Sequence, residues 1–381
     1  MKLISRIALE GFRSIKNSND SLNEIGNFTA FAGLNNSGKS NILRSLNCFF
    51  NNQTDPNVPL IFRNDYYRHN LQKSTKKKRI RISIHFTLPQ NFTFRKELES
   101  VKTLLKNNFV LTKEYSIQSN IPEYYLNNDQ QPLKLDDKER VEQFLSLITF
   151  RYIPNRVLPT ELIKNEHQAL RDTLIRRLGK KGKQSSEAFE IIQTASQKLI
   201  GGFTKRMQSA IPDIGNIRLA TPKTWADLIF AFGYKIGTGN AEFEDIAQGS
   251  GIQSFLMLET LYLIDKDYFQ KFGWRQAAIW AIEEPESSLH SSMDVRVASY
   301  LSTISSDLKS RLQVFATTHS DFMIQYSDKA YFIEAKDKQT FCEGGLSKND
   351  LLRKSSKSGV SRFTHPILYN PLNPIILVDG K

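Results

Sequence analysis

One short segment of the chain has the residue types and spacing of a phosphate-binding loop. Gly33–Ser40 carries two glycines, a lysine and a hydroxyl residue in the order Gly-x-x-x-x-Gly-Lys-Ser. Glycines allow successive backbone N–H groups to converge on a phosphate, and a helix that starts there adds the positive end of its dipole. Lys39 is then placed to bridge the β- and γ-phosphates of ATP, and the Ser40 hydroxyl to ligate Mg²⁺. The residues predicted to bind nucleotide here are Asn35, Asn36, Ser37, Gly38, Lys39, Ser40 and Asn41.

An acidic run follows an apolar strand in the second half of the chain. Ala277–Ile282 is apolar throughout, as in a parallel strand covered on both faces, and it leads into Glu283, Glu284, Pro285 and Glu286. Carboxylates at the C-terminal end of such a strand lie where doubly wound sheets bind ligands. We expect Glu283 to hold Mg²⁺, directly or through water, and Glu284 to orient and deprotonate the attacking water. The alternative is an acidic first turn of a helix.

Two further segments carry weaker signals. Leu312–Ala316 is a strand-like run that ends in Thr317–Ser320, where His319 is placed to contact a γ-phosphate. A lone histidine after a strand is more often an ordinary packed side chain. Gln248–Gln253 precedes a helical pattern, and its small residues with Ser250 make either an anion-binding helix start or a simple N-cap.

The elements that must position these residues follow from the periodicity of the sequence. Phe28–Ala32 is an apolar strand that enters the glycine loop, and Asn41–Phe50 has apolar residues at helical intervals after it. A strand, a glycine loop and a helix start are what phosphate binding requires. We expect the strands at 277–282 and 312–316 to end at the same edge of one sheet as this loop.

In their order along the chain, these motifs resemble ABC-type ATPases of the SMC and RecF-like branch. Within that branch they resemble the overcoming-lysogenization-defect (OLD) family of ATP-dependent endonucleases. Two positions depart from the pattern, since Leu34 stands where an acid is common and Glu283 replaces the Asp usual in transporters. The resemblance is carried by Ile7–Ile15, Asn35–Leu43, Ser250–Gln253, Glu283–His290 and Thr317–Ser320.

The resemblance implies an α/β fold, namely an ABC-type P-loop ATPase head with a mixed sheet and flanking helices, interrupted by a mainly helical insertion. It implies catalytic roles for Lys39, Glu284 and His319, with ATP and Mg²⁺ as ligands. Ser250–Gln253 is similar to the signature segment of ABC-type ATPases. The resemblance therefore also implies that the signature segment of one subunit completes the ATP site of another, so that ATP holds together a homodimer or higher homo-oligomer. The signature residues expected to bind nucleotide in this way are Ser250, Gly251 and Gln253.

Charge points to a polyanionic partner in addition to ATP. The 381 residues include 52 Lys and Arg against 39 Asp and Glu, a net charge of +13, which makes DNA the expected partner. Arg79–Phe86 alternates polar and apolar residues as a half-exposed strand does, so its cations share one solvated face. A charged edge strand that discourages aggregation is the alternative. The candidate DNA-binding residues are Lys76, Lys77, Lys78, Arg79, Arg81, Arg176 and Arg177.

Composition excludes several other classes. Cys48 and Cys342 are the only cysteines, too few for a disulfide framework or a zinc site, and they favour a reducing cytoplasm. The sequence has no apolar stretch of membrane-spanning length, and Met1–Arg6 lacks the features of a signal peptide.

The ATPase core is expected to be split by an insertion. Residues 1–90 form the lobe with the P-loop, 91–215 an insertion of antiparallel strands followed by a helical arm or dimerisation module, and 216–375 the lobe with the signature, acidic strand and histidine. Residues 376–381 resemble the first strand of a Toprim nuclease domain, with Asp379 in place of its metal-binding Glu. In Phe150–Arg156, Arg156 is either a nucleotide or DNA sensor or an ordinary surface residue.

These expectations lead to one main hypothesis and several alternatives. The main one is an ATPase head that gates a DNA-directed nuclease in anti-phage defence or DNA processing, with the nuclease activity in a further domain or a partner. The alternative is a non-nucleolytic SMC- or RecF-like clamp that works with a separate effector, protein or nucleic acid. A transporter subunit, or a nucleotide-binding fold with little turnover, fits the motifs less well.

Overall fold

The structure is a computed structural model. The chain divides into two compact units, and segments of the two alternate along the sequence. The first unit comprises Met1–Asn155, Trp274–Ser287 and Val297–Lys381, and the second comprises Arg156–Gly273 and Ser288–Arg296. The residues that the structure describes are 2–18, 21–67, 78–155, 158–159, 161–162, 166, 185–219, 234–238, 241–244, 249–272, 275–287 and 289–357.

A six-stranded sheet in the first unit collects the strands that enter the predicted motifs. Its order is β16-β15-β3-β14-β13-β9, and its strands run parallel except for β16. Every residue of β3, β13 and β14 is buried, which explains their largely apolar sequences. The strands are β3 (Phe28–Ala32), β9 (Ile148–Ile153), β13 (Ala277–Glu283), β14 (Leu312–Thr318), β15 (Lys329–Lys336) and β16 (Gln339–Glu343).

A five-stranded antiparallel sheet, in the order β2-β1-β6-β7-β8, also belongs to the first unit. The alternation predicted for residues 79–86 is confirmed, because every second residue of β6 is buried. The edge-strand interpretation of this segment is wrong, since β6 pairs with β1 on one side and β7 on the other. The strands are β1 (Ile4–Phe12), β2 (Ile15–Asn17), β6 (Arg79–Thr87), β7 (Asn108–Ser116) and β8 (Ser119–Leu126), and a separate hairpin is formed by β4 (Gln53–Asp55) and β5 (Val58–Pro59).

One buried amide joins the two sheets of this unit. Gln313 of β14 accepts hydrogen bonds from the backbone N–H groups of Leu3 and Ile4 at 3.1 and 2.8 Å. Its Nε2 donates to the carbonyls of Ile4 and Gly26, both at 2.8 Å. All four polar contacts of this side chain are made inside the core, so the amide fixes the register of one sheet against the other.

The helix after the glycine loop packs its apolar face into the core of the first unit. Ile42, Leu43, Leu46 and Phe49 of α1 are fully buried, which confirms the helical spacing predicted for 41–50. Residues of both sheets belong to the same apolar cluster. The helices are α1 (Lys39–Asn51), α2 (Phe62–Asp65), α3 (Glu99–Leu105, after a 3₁₀ turn at Lys96–Leu98), α4 (Leu135–Ser146), α5 (Ser185–Ala210), α6 (Ser250–Phe272), α7 (Ser291–Ser306), α8 (Asp321–Tyr326) and α9 (Lys348–Lys357).

The second unit contains the long helices α5 and α6 and a small antiparallel sheet. The sheet has the order β10-β11-β12, with β10 (Ile217–Leu219), β11 (Tyr234–Thr238) and β12 (Ala241–Glu244). Arg206 of α5 forms an ion pair with the buried Glu259 of α6, so charge pairing links the two helices. None of the described helices is both long and apolar enough to cross a membrane.

The first unit is longer than the lobe predicted from the sequence, and some predicted residues lie outside the part of the chain that the structure describes. The first unit continues to Asn155, well beyond the boundary expected near residue 90, because β7 and β8 extend the sheet that β1 begins and β9 joins the other sheet. Lys76, Lys77, Arg156, Arg176, Arg177 and the terminal segment 376–381 lie outside the described residues.

Candidate nucleotide site

The glycine loop lies between the C-terminal end of β3 and the start of α1. A Cβ at position 33 would come within 2.1 Å of the Ile333 carbonyl oxygen. Gly38 has φ +98°, and a Cβ there would lie 1.9 Å from Thr340 Oγ1. Both glycines of the motif are therefore required by close approach of neighbouring groups, and Gly38 also by its left-handed backbone.

Lys39 is folded back onto its own loop. Its ammonium donates to the carbonyls of Gly33 and Leu34, both at 2.9 Å, and its side chain is almost entirely buried. In the same loop the Ser37 Oγ is buried and has no hydrogen-bond partner among the described residues. A buried hydroxyl beside a lysine held by carbonyls is what a loop built to surround a polar ligand provides.

Three strand ends bring distant motifs to one edge of the sheet. Thr318 pairs with Ala32, and Glu283 pairs with Thr317, so the C-terminal ends of β3, β14 and β13 are level. The loops that follow these strands carry the lysine, the histidine and the acids. This confirms the shared edge that the sequence predicts.

His319 lies between the lysine and the second acid. Its Nε2 is 3.1 Å from Lys39 Nζ and 3.2 Å from Glu284 Oε1. A ring nitrogen either donates one proton or accepts one, so it hydrogen-bonds with only one of these neighbours at a time. The three side chains therefore form a connected polar line across the edge of the sheet.

Glu284 occupies a strained backbone conformation. Its φ is +43°, in the left-handed region that non-glycine residues rarely adopt. The backbone N–H of Glu284 donates to the Thr317 carbonyl at 2.9 Å and to Thr317 Oγ1 at 3.2 Å, which holds this turn in place. Such strain costs about 1–3 kcal/mol and is concentrated at functional sites.

Glu286 is a structural member of the acidic run. Its Oε1 accepts hydrogen bonds from Thr318 Oγ1 at 2.8 Å and from the backbone N–H of His319 at 2.6 Å. The carboxylate is buried beneath the loop that carries the histidine. Through its bond to the His319 backbone, Glu286 therefore fixes the position of this histidine.

Glu283 is held by side chains from two other elements, β9 and α1. Tyr152 donates its hydroxyl to Glu283 Oε1 at 2.7 Å, and Arg44 Nη2 of α1 is 3.5 Å from the same oxygen. Arg44 also pairs with Asp55 at 3.2 Å. Burial and the Glu283 charge raise the pKa of Tyr152, so this phenol stays protonated and donating. Burial opposes the charge of Arg44, but Tyr152, Glu283 and Asp55 together raise its pKa.

Asn155 is a site residue that the sequence reasoning did not single out. Its Nδ2 donates to Glu284 Oε2 at 3.0 Å, and its backbone N–H donates to Glu283 Oε2 at 3.4 Å. The segment 150–156 drew attention in the sequence for Arg156 rather than for Asn155. An asparagine two residues beyond a strand and next to a proline was the available signal.

The other predicted residues of the glycine loop differ in their exposure to solvent and in their contacts. Asn35 and Asn36 are exposed, and Ser40 is half-buried in the first turn of α1. The side chain of Asn41 donates to Ser14 Oγ at 2.7 Å. The structure therefore ties Asn41 to the turn between β1 and β2.

The signature segment lies in the second unit and begins a helix, as its sequence predicts. Ser250 is the first residue of α6, and both Ser250 and Gln253 are in the first turn. A Cβ at Gly251 would lie 3.1 Å from the Met293 side chain, so the glycine permits close packing there. The role of Ser250, Gly251 and Gln253 in nucleotide binding remains a prediction.

The candidate DNA-binding arginines of β6 have acidic neighbours. Arg81 pairs with Glu114 at 2.9 Å, and Arg79 lies 3.6 Å from Glu10 and 3.8 Å from Glu114. Lys78, which immediately precedes the strand, is half-exposed. Because two acids offset part of the positive charge, this face is a weaker polyanion surface than the sequence suggested.

Comparison with known proteins identifies the family. The model of the AAA ATPase domain family matches residues 1–211 and 91–324, which together cover most of the chain. The chain belongs to the AAA ATPase domain family. No curated protein matches this AAA ATPase domain in sequence.

Solved structures similar to this AAA ATPase domain are head domains of Smc proteins. One, crystallised with the C-terminal winged-helix domain of ScpA, has a TM-score of 0.64 and 17% identity, over 92% of this chain and 100% of that chain. A Pyrococcus furiosus head with an extended coiled coil, bound to the C-terminal domain of ScpA, has a TM-score of 0.59 and 15% identity, over 94% and 99%. A Pyrococcus yayanosii head with a coiled coil and joint has a TM-score of 0.60 and 12% identity, over 94% and 100%. These matches confirm the predicted α/β fold with a mixed sheet and flanking helices, which this chain shares with Smc head domains.

Proposed function

We propose that this chain binds ATP at the Gly33–Ser40 loop and hydrolyses it with Glu284 as the general base. The observation that carries the proposal is the connected line of Lys39, His319 and Glu284 at one edge of the sheet. Membership of the AAA ATPase domain family supports the same reaction.

The roles of the side chains follow from their positions. Lys39 exchanges its two loop carbonyls for phosphate oxygens when the nucleotide enters, because a charged acceptor is the stronger partner for an ammonium. His319 is then released from Lys39 and its Nε2 is available to the γ-phosphate. Glu284 orients the attacking water and takes its proton, and Asn155 holds the carboxylate in place.

A divalent cation fits the donors at this edge. The Ser40 hydroxyl and the Glu283 carboxylate are hard oxygen ligands of the kind that Mg²⁺ prefers, and they would hold it. Bound there, Mg²⁺ would neutralise phosphate charge. Tyr152 and Arg44 orient the Glu283 carboxylate from the protein side.

The proposal extends to association of two heads. The signature residues Ser250, Gly251 and Gln253 would bind the nucleotide of a second copy, so that ATP holds a homodimer together and hydrolysis releases it. The resemblance of the signature to that of ABC-type ATPases and the Smc-head fold support this step.

The small number of cysteines supports a cytoplasmic setting.

ATP turnover and ATP-dependent association test this function together. Wild type should hydrolyse ATP, Lys39→Ala should not, and Glu99→Gln, an exposed carboxylate outside the site, should match wild type. Glu284→Gln should sediment as a dimer with ATP and as a smaller species without it. Equal turnover in wild type and Lys39→Ala would remove the proposed site, and an unchanged sedimentation coefficient would remove the dimer.

Two downstream outputs are proposed, and different observations favour them. The OLD-like motifs support a head that gates a DNA-directed nuclease in defence or DNA processing. The Smc-head fold supports a clamp that binds DNA and acts through a partner protein. The natural gene product should be incubated with ATP and plasmid DNA: nicking supports the nuclease, whereas ATP-dependent retention of intact circular DNA supports the clamp.

A further inference from the structure

A chain of hydrogen bonds spans the glycine loop from one side to the other. It starts at the Asn41 side chain, which donates to Ser14 Oγ at 2.7 Å. Ser14 Oγ lies 2.7 Å from Thr340 Oγ1, and Thr340 Oγ1 donates to the Ser37 carbonyl at 2.9 Å. The two ends of this chain lie on either side of Gly38, Lys39 and Ser40.

The donor of each bond is fixed by the chemistry of the groups. An amide nitrogen only donates, so Ser14 Oγ accepts from Asn41, and a carbonyl only accepts, so Thr340 gives its proton to Ser37. The remaining proton of Ser14 is therefore the one that bridges to Thr340. Each hydroxyl accepts one bond and donates one, and a chain in which every bond points the same way is cooperative.

The hydroxyl of Thr340 reaches the loop because the sheet delivers it there. β16 pairs with β15, with Thr340 opposite Ala335, and β15 pairs with β3, the strand that enters the loop. The Thr340 backbone N–H also donates to the Ser14 carbonyl at 2.8 Å. Thr340 is 2% exposed, so water does not compete for its hydroxyl.

The approach is close enough to shape the loop itself. A Cβ at Gly38 would lie 1.9 Å from Thr340 Oγ1 and 2.9 Å from Ser14 Oγ. The Ser37 peptide is thus held by its carbonyl immediately before the N–H groups that face a phosphate in loops of this type. Moving either hydroxyl would release that peptide.

We propose that Thr340 and Ser14 are positioning residues for the phosphate-binding loop, acting through the Ser37 carbonyl and the Asn41 side chain. Neither residue belongs to the glycine motif, and Thr340 lies 303 positions beyond Ser37. The inference rests on the proposed ATP site for its effect on affinity. Its effect on loop order is independent of ATP.

The test compares Thr340→Val with two matched variants. Thr340→Ser keeps the hydroxyl. Thr112→Val removes a hydroxyl from another buried strand threonine, which lies 2.7 Å from Ser83 Oγ in the five-stranded sheet. Hydrogen exchange of the 33–41 amides is measured without nucleotide, and the dissociation constant of Mg·ATP by calorimetry.

We expect Thr340→Val to accelerate exchange in the loop and to weaken ATP binding about tenfold, the effect of one lost buried hydrogen bond. Thr340→Ser should restore both values, and Thr112→Val should change neither. If Thr340→Val does not fold, Ser14→Ala breaks the same chain at a half-buried position and should give the same pattern.

The outcomes separate this inference from the proposed function. Loop exchange and affinity equal to those of Thr112→Val would overturn the positioning role. Faster loop exchange in Thr340→Val, combined with no ATP binding by wild type, would support the positioning role of Thr340 and overturn the ATP site.

Discussion

Lys39 and His319 are 280 residues apart in the sequence, yet Lys39 Nζ lies 3.1 Å from His319 Nε2. The contact exists because β3 and β14 are neighbouring parallel strands whose C-terminal ends are level. Lys39 begins the helix after one strand, and His319 follows the other. This pair makes the glycine loop and the histidine parts of one site.

Replacing the proposed base should separate binding from turnover. Glu284→Gln keeps the shape of the side chain but cannot accept a proton, so we expect turnover to fall about 10²–10⁴-fold. Affinity for ATP should stay within a few-fold of wild type. The rate of phosphate release measures turnover, and equilibrium titration measures the affinity for ATP. Full turnover by Glu284→Gln would show that Glu284 is not the general base.

Asn155→Ala tests the residue that the structure adds to the site. Loss of its Nδ2 hydrogen bond leaves the Glu284 carboxylate without that support, so we expect kcat to fall about tenfold with little change in KM. Steady-state kinetics measure the split. Asn127→Ala, which removes a side-chain bond to the β7 backbone instead, is the control and should leave kcat unchanged.

Tyr152→Phe tests how Glu283 is held. The variant removes the hydroxyl that donates to Glu283 Oε1 at 2.7 Å and should raise the Mg²⁺ concentration required for half-maximal turnover. Tyr124→Phe removes a similar tyrosine–glutamate contact, at 3.4 Å to Glu142, outside the site. Equal Mg²⁺ dependence in the two variants would show that the Tyr152 hydroxyl does not act on the metal site.

Lys113 predicts a pH-dependent change in stability. It is 1% exposed, donates to Asn52 Oδ1 at 2.9 Å and lies over the rings of Phe49 and Tyr124. Burial lowers its pKa from 10.5 to about 8. The unfolded chain therefore binds more protons between these values, and stability rises as the pH increases through that window.

Lys113→Met should accordingly raise the free energy of unfolding by about 2 kcal/mol at pH 7, since a buried charge is removed. The gain should shrink as the pH rises from about 8 towards 10.5, because the folded lysine is already neutral there while the unfolded lysine is still losing its proton. Urea unfolding at several pH values measures it. Lys102→Met, at an exposed lysine paired with Glu99, is the control, and the same pH dependence in both variants would contradict the argument.

The sequence predicted those parts of the site that are marked by a local residue pattern. The strand at 28–32, the helix after it, the apolar run at 277–282 and the strand-like run at 312–316 were visible because buried parallel strands are largely apolar and P-loop glycines have fixed spacing. The contacts of Asn155, Tyr152 and Thr340 were not visible. They depend on which strands neighbour one another, and single-residue signals do not encode that order.

The charge pattern was a less reliable guide than the motifs. The alternation of 79–86 correctly predicted a half-exposed strand, but not its central place or its acidic neighbours. Arg81 and Glu114 meet because β6 and β7 pair in a particular register. Cross-strand partners of this kind set the surface charge, and they require the tertiary structure.

Equilibrium binding of Mg·ATP to Glu284→Gln and to Lys39→Ala, measured together with the turnover of each variant under identical conditions, tests the central claim most directly. If one site contains the glycine loop and the acids, Glu284→Gln binds ATP without turning it over, and Lys39→Ala does not bind. Tight binding by Lys39→Ala, or unchanged turnover by Glu284→Gln, would contradict the account.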